Sequence, residues 1–311
     1  MEFIMKIGVD IGGTKCAVVL GDHNGIAGKF YFETKGPEET IANIKNAVSK
    51  FAEKADAIGI SCGGPLDAER GLILSPPNLL GWDRIPITAI LSEAFGIPAR
   101  LCNDADACAL AEHRFGSGRG TENMIFLTFG TGMGAGLILN GRLYSGTNGM
   151  AGEIGHIRLE NHGPVGYGKR GSFESFCSGG GIAQLGKTLA LEQLQQGVSL
   201  PWCKNASELD RITAKLLAEH AFAGEKTALE VYRICGEMLG RGISVLIDLL
   251  NPEMIVIGSI YSRSGALLEK HMEEVLKKEA LPASRAQCRI VPAMLGEQIG
   301  DYGALSVAYG I

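Results

Sequence analysis

The chain has 311 residues, 46% hydrophobic and 20% charged, with a formal net charge of −5. That length supplies one large domain or two ordinary ones, and an acidic balance without a basic run argues against a nucleic-acid or anionic-membrane surface. The longest apolar runs, MIVIG and SVLIDLL, are too short to cross a bilayer, and MEFIMKIGVD carries no secretory pattern, so a cytoplasmic location is expected.

KIGV (6–9) reads as a strand, DIGGTK (10–15) as a glycine turn and CAVVL (16–20) as a second strand. PEETIANIKNAVSKFAEK (37–54) has the apolar spacing of an amphipathic helix, and AIGISCGGP (57–65) that of a buried strand. SPPNLLGWDRIP (75–86) is a loop, and ITAILSEAFG (87–96) is a second helix. The strand ARLCND (99–104) then feeds the helical ADACALAEHRFG (105–116). From residue 124 the opening design returns as MIFL, TFGTGMGAG and LIL. At an offset of 118, Asp10 overlays Thr128, Gly12 overlays Gly130, Ala17 overlays Ala135 and Gly28 overlays Gly146. This repeat predicts two like α/β domains facing each other across a cleft. The first covers 1–117 and is rejoined by a C-terminal helix, 298–311; the second covers 118–297. Residues 182–250 are helix-rich, and EMIVIGS (253–259) is one more buried strand.

Eight cysteines are scattered without a C-x-x-C, which fits small buried hydrophobes in a reducing compartment. No G-x-x-x-x-G-K-[ST] is present, so a P-loop is excluded. The two glycine turns instead offer backbone N–H groups and threonine hydroxyls that suit phosphate. Asp10, at the mouth of the first, is the kind of carboxylate that holds Mg²⁺ through water. Plain tight hairpins would need one or two glycines, whereas Gly130, Gly132, Gly134 and Gly136 alternate strictly, stripping one strand face bare. Asn103-Asp104 stands where a strand ends and a helix begins, the usual place for ligands in open α/β sheets. Asp104 there reads equally as a general base for a hydroxyl or as an ordinary helix cap. Glu153 and His156, three apart, project the same way. With Glu174 they suit a polyhydroxyl ligand, although a histidine among apolar neighbours is commonly just a core residue. GYGKRG (166–171) fits the dinucleotide fingerprint G-x-G-x-x-G, but the polar RLENHGP before it is no strand, so an oxidoreductase reading fails.

VDIGGTK, GGPLD, PPNLLGW, NDADACALAEHRFG, LTFGTGMGAGLILNGRLYSG, GEIGHI and FESFCSGGG occur in the order seen in the ROK family of sugar kinases and repressors, which the whole chain resembles. The resemblance implies an actin-like ATPase (ribonuclease H-like) fold and ATP- and Mg²⁺-dependent phosphorylation of a hexose or N-acetylhexosamine, usually on the 6-hydroxyl. Asp104 would be the base. Gly64, Asn103, Glu153, His156 and Glu174 would hold the sugar. Gly12, Gly13, Thr14, Lys15, Gly130, Thr131 and Gly132 would hold phosphate, and Gly258, here followed by Ser259, would stand on the adenosine side. A homodimer is usual in the family. Many members also carry a zinc site, the histidine of GHI plus three cysteines. In this chain the cysteine positions fall at a deletion beside Val165, at Tyr167 and at Ser172, so zinc is not expected and another contact must orient His156. The alternative is a sugar-sensing regulator; the first phosphate hairpin begins by residue 10, which leaves no room ahead of it for a helix-turn-helix module.

Overall fold

The computed structural model describes residues 5–310. It opens on an antiparallel meander of β1 (Met5–Ile11), β2 (Lys15–Asp22) and β3 (Gly25–Glu33), followed by α1 (Pro37–Ser49). Then come β4 (Ala55–Cys62), a small hairpin of β5 (Leu66–Asp67) and β6 (Leu72–Ile73), α2 (Ile87–Phe95), β7 (Ala99–Asn103) and α3 (Asp104–Phe115). β1, β4 and β7 pair in parallel, giving the sheet order β3-β2-β1-β4-β7.

β8 (Met124–Leu127), β9 (Ala135–Leu139) and β10 (Arg142–Leu143) lead to the hairpin β11 (Val165–Gly166) and β12 (Lys169–Arg170). After α4 (Phe173–Phe176), helices α5 (Gly179–Gln195), α6 (Ala214–Phe222) and α7 (Lys226–Leu250) occupy the predicted helix-rich region 182–250. β13 (Met254–Ile257), α8 (Ile260–Glu279), α9 (Pro282–Gln287), β14 (Arg289–Pro292) and α10 (Ile299–Ala308) complete the chain. The second sheet runs β10-β9-β8-β13-β14. Among the described residues no helix is long and apolar enough to cross a membrane.

Two compact units emerge. One holds the described residues up to Phe126, with Gly136–Ala151 and those from Met294 on; the other holds Leu127–Ala135 and Gly152–Ala293. The chain passes between the units at 126/127, 135/136, 151/152 and 293/294, the segment 136–151, with most of β9 and all of β10, belonging to the first.

In the first unit the alternating apolar residues of β1 and β4 put Ile7, Val9, Ile58 and Ile60 in the core against Ile44 and Val48 of α1 and Leu91 of α2. Each such side chain contributes about 1.5–3 kcal/mol when fully buried. Gly8 brings α10 directly onto β1: a Cβ there would lie 2.8 Å from the carbonyl carbon of Ala304. Glu112 of α3 is fully buried and ties the start of the C-terminal segment down, its Oε1 accepting the N–H groups of Met294 (3.0 Å) and Leu295 (2.9 Å). In the second unit α7 meets α8 at Gly236 and Gly240, where a Cβ would stand 2.8 Å from the carbonyls of Leu268 and Met272. Asn251, left-handed at φ 46°, ends α7.

Two strands, β3 and β14, carry no clear strand pattern in the sequence. β3 is an edge strand with most residues exposed or half-buried, so its hydrophobic alternation is weak. β14 is only four residues long and ends in proline.

Candidate active site

In the first unit Asp10 is the penultimate residue of β1, and the parallel register places it beside Ser61 of β4. The Ser61 side chain hydrogen-bonds its carboxylate. Lys29 of β3 pairs with Asp301 of α10 at 2.5 Å. Burial, then repulsion from Asp301 and Asp104, pushes the Asp10 carboxyl up to about 6 from the ordinary 3.8, against the Ser61 bond and the attraction of Lys29. The glycine turn follows at once. The Gly12 N–H donates to the Lys15 carbonyl at 3.1 Å, and the Thr34 hydroxyl to the Gly12 carbonyl at 2.6 Å. A Cβ would stand 2.8 Å from the Lys15 oxygen at Gly12 and 2.8 Å from the Asn78 oxygen at Gly13, so both positions require glycine. Gly13, Thr14 and Lys15 are exposed, and Asp10, Lys15, Lys29 and Asp301 line a cavity of about 280 Å³.

β7 ends at Asn103, and the cap of α3 falls there. Asn103 is the extended cap residue (φ −64°, ψ 150°), its Oδ1 accepting the Ala105 N–H at 2.9 Å. Asp104 is therefore the first helical residue, not the cap. Its Oδ1 shares the same N–H at 2.8 Å. The residue keeps exposed surface, yet protein packed around the carboxylate raises its pKa above the ordinary value, with backbone N–H groups opposing. The loop after β4 runs alongside at ordinary contact distance. A Cβ at Gly63 would lie 3.6 Å from Asp104 Oδ2, and one at Gly64 3.5 Å from Asn103 Nδ2. The Gly64–Pro65 peptide is cis.

In the second unit the alternating glycines shape a wide turn. Thr128 N–H donates to the Gly134 carbonyl (3.0 Å), and Gly134 N–H returns to Thr128 Oγ1 at 2.9 Å. Glu174 of α4 accepts the Met133 N–H at 3.1 Å. A Cβ on Gly132 would sit 2.8 Å from Glu174 Oε2. Gly132→Ala is thus expected to displace that carboxylate. With Glu174 in the sugar-holding role that the resemblance implies, sugar KM should rise about tenfold, the worth of one charge-assisted hydrogen bond, with the melting temperature within a few degrees; an unchanged KM would count against that role. Glu153 precedes the short 3-10 turn Ile154–His156, and its Oε2 lies 3.8 Å from His156 Nε2, as the spacing predicts.

A cavity of about 790 Å³ opens beside the same turn, lined among others by Gly130, Thr131, Gly179, Lys215, Ser259 and Arg263. The N-termini of α5, capped by Ser178, and of α8 both reach it, and each carries partial positive charge. Gly258 ends the β13 segment with its N–H on the Leu127 carbonyl (3.0 Å); the cavity wall is Ser259, left-handed at φ 51°. Sequence reasoning missed Lys215 and Arg263, single cations in helical runs without a motif. It also missed Lys29 and Asp301 around Asp10.

The fold and these loops match a known sequence profile, that of the ROK family, over residues 6–310. The chain belongs to the ROK family. It is 32% identical over 314 residues to a glucokinase of Thermotoga maritima, covering 99% of this chain and 98% of the relative. A glucokinase of Halalkalibacterium halodurans is 35% identical, over 96% and 92%. Among solved structures, a ROK family glucokinase from Streptomyces griseus in complex with glucose and AMPPNP superposes with a TM-score of 0.75 and 30% identity, over 98% and 99%. The two-sheet mixed α/β architecture is that of ROK kinases, with the actin-like ATPase fold.

The ROK zinc site does not fit these residues. Cys177 is fully buried, its thiol 3.5 Å from the Cys235 carbonyl oxygen, and Ser172 Oγ accepts the Ser175 N–H as the cap of α4. Ser172 thus serves as the cap of α4. Among the described residues no group of three or more His, Cys, Asp or Glu side chains is placed to hold a metal.

Proposed function

We propose that this ROK protein is an ATP-dependent sugar kinase, transferring the γ-phosphoryl group to the 6-hydroxyl of a hexose or N-acetylhexosamine. The observation that carries the reading is Asp104: a carboxylate raised by the protein packed around it, on the first turn of α3, in a residue that keeps exposed surface and follows the cap residue Asn103. It takes the proton of the attacking hydroxyl as the O–P bond forms. Asn103, the Gly64 loop, Glu153, His156 and Glu174 hold the sugar hydroxyls, since carboxylates and an amide give charge-assisted and bidentate contacts. The Gly12–Lys15 and Gly130–Gly132 turns cradle phosphate through backbone N–H groups, and the cavity of about 790 Å³ has the size for a nucleoside.

Mg²⁺ fits the Asp10 site because a cation there would offset the burial, and then the repulsion from Asp301 and Asp104, that raise this carboxyl. Asp10 would hold it through water, and when bound it neutralises charge on the transferring phosphates. Catalysis otherwise rests on position, as phosphoryl transfer needs little covalent help from the protein.

One panel tests the reading: ATP consumption against hexoses and N-acetylhexosamines, with the product's phosphate located by NMR. The expected result is one or a few sugars that accelerate ATP loss at least 10²-fold, phosphorylated at carbon 6. Sugar binding with no stimulated turnover for any member favours the regulator reading instead.

A further inference from the structure

The string GYGKRG folds as a hairpin. β11 and β12 pair Val165↔Arg170 and Gly166↔Lys169, joined by Tyr167 and Gly168 at φ 46° and 74°. Two central residues with positive φ make this a type I′-like turn, for which asparagine or glycine is the usual first residue. A left-handed tyrosine costs about 1–2 kcal/mol, and its side chain is 84% exposed rather than buried in compensation. Such a residue in such a place calls for a reason.

Its ring supplies one. Tyr167 meets the His156 imidazole edge-on, with centroids 5.1 Å apart and planes at 86°, the favoured T-shaped geometry. Two residues on, Lys169 Nζ donates to the His156 carbonyl at 2.7 Å. The hairpin therefore touches both the ring and the backbone of His156. It is itself fixed: Val165 exchanges hydrogen bonds with the Gln184 side chain of α5 at 3.0 and 2.8 Å. Gly166 lies against α4, where a Cβ would stand 2.9 Å from Ser175 N and 3.3 Å from Glu174 Oε1. The same hairpin thus abuts both Glu174 and His156.

We infer that the 165–170 hairpin orients His156 toward the sugar, with Tyr167 as the positioning residue and Lys169 as its backbone anchor, doing by packing what a metal does by ligation. This rests on the sugar-kinase reading above for the identity of the ligand, but not for the orientation of the ring. The contact is made by the ring and not the hydroxyl, so phenylalanine should serve and alanine should not.

The experiment follows the His156 ring by NMR in the intact protein with labelled histidine, its resonances assigned from His156→Gln. Tyr167→Phe and Tyr167→Ala are compared with wild type for ring resonances, sugar KM, ATP KM and kcat. Tyr167→Phe should reproduce wild type. Tyr167→Ala should move the ring resonances to those of a freely rotating histidine and raise sugar KM at least fivefold, leaving kcat and ATP KM within twofold. Unmoved resonances in Tyr167→Ala overturn the proposal, as does a moved ring with unchanged sugar KM, or failure of phenylalanine to rescue. Stoichiometric zinc in the purified protein also overturns it. If no sugar is phosphorylated, calorimetric sugar affinity takes the place of KM, so that failure of the kinase reading shows separately as binding without turnover.

Discussion

Asp104→Asn is expected to lower kcat roughly 10³-fold while the sugar dissociation constant stays within about threefold. The substitution removes only the ability to take a proton. Asparagine has the same shape, its oxygen can still accept the Ala105 N–H that Asp104 accepts at 2.8 Å, and the helix cap proper belongs to Asn103. Loss of activity through misfolding is thereby disfavoured. Burial raises the Asp104 carboxyl in the folded chain, so ionising it costs folding free energy at neutral pH, and the variant should be at least as stable as wild type. The same shift sets a pH profile. A base must be deprotonated, so wild-type kcat/KM should fall with decreasing pH at a higher value than an ordinary carboxylate would give. Kinetics, calorimetric sugar binding and a melting curve on one preparation decide it. Turnover above a tenth of wild type removes Asp104 as the base.

How much of this was legible differs from element to element. The β1–β2 and β8–β9 hairpins carry their own signature, because a glycine turn between apolar strands constrains each residue locally. Helix starts and stops around Asn103 and Gly96 were equally local: a side-chain cap in one, a left-handed glycine at φ 67° in the other. What could not be read was set by distant partners. The environment of Asp10 comes from Lys29 on an edge strand and from Asp301 near the end of the chain. The G-x-G-x-x-G string shows the limit most clearly. Its three glycines meet three unrelated needs: Gly166 packs against Ser175, while Gly168 and Gly171 take left-handed turns at φ 74° and 70°. A spacing rule cannot separate these from a nucleotide turn; the polar residues before it can.

Asp10→Asn is expected to make the protein more stable and nearly inactive at once. The folded-state carboxyl sits at about 6 against an ordinary 3.8, so the folded chain holds this proton more tightly than the unfolded one. The favourable contribution is complete below about 3.8 and is lost as pH rises through about 6; above that, the buried charge is a net cost. A shift of this size corresponds to at most about 3 kcal/mol, and an asparagine that weakens the Ser61 hydrogen bond gives back about 1. The variant should therefore exceed wild type by roughly 1–3 kcal/mol at pH 7.5, with the difference closing toward pH 4. Turnover should drop about 10²-fold, because a neutral amide holds hydrated Mg²⁺ poorly beside the transferring phosphates. Denaturant curves at both pH values, with kcat measured over a Mg²⁺ series, test the two halves together. A variant less stable than wild type at pH 7.5 would show that Asp10 serves the fold through its hydrogen bond to Ser61. A variant of full activity would move the cation elsewhere. Stability gained where activity is lost is what a carboxylate held in place against Asp301 and Asp104 for its chemistry must give.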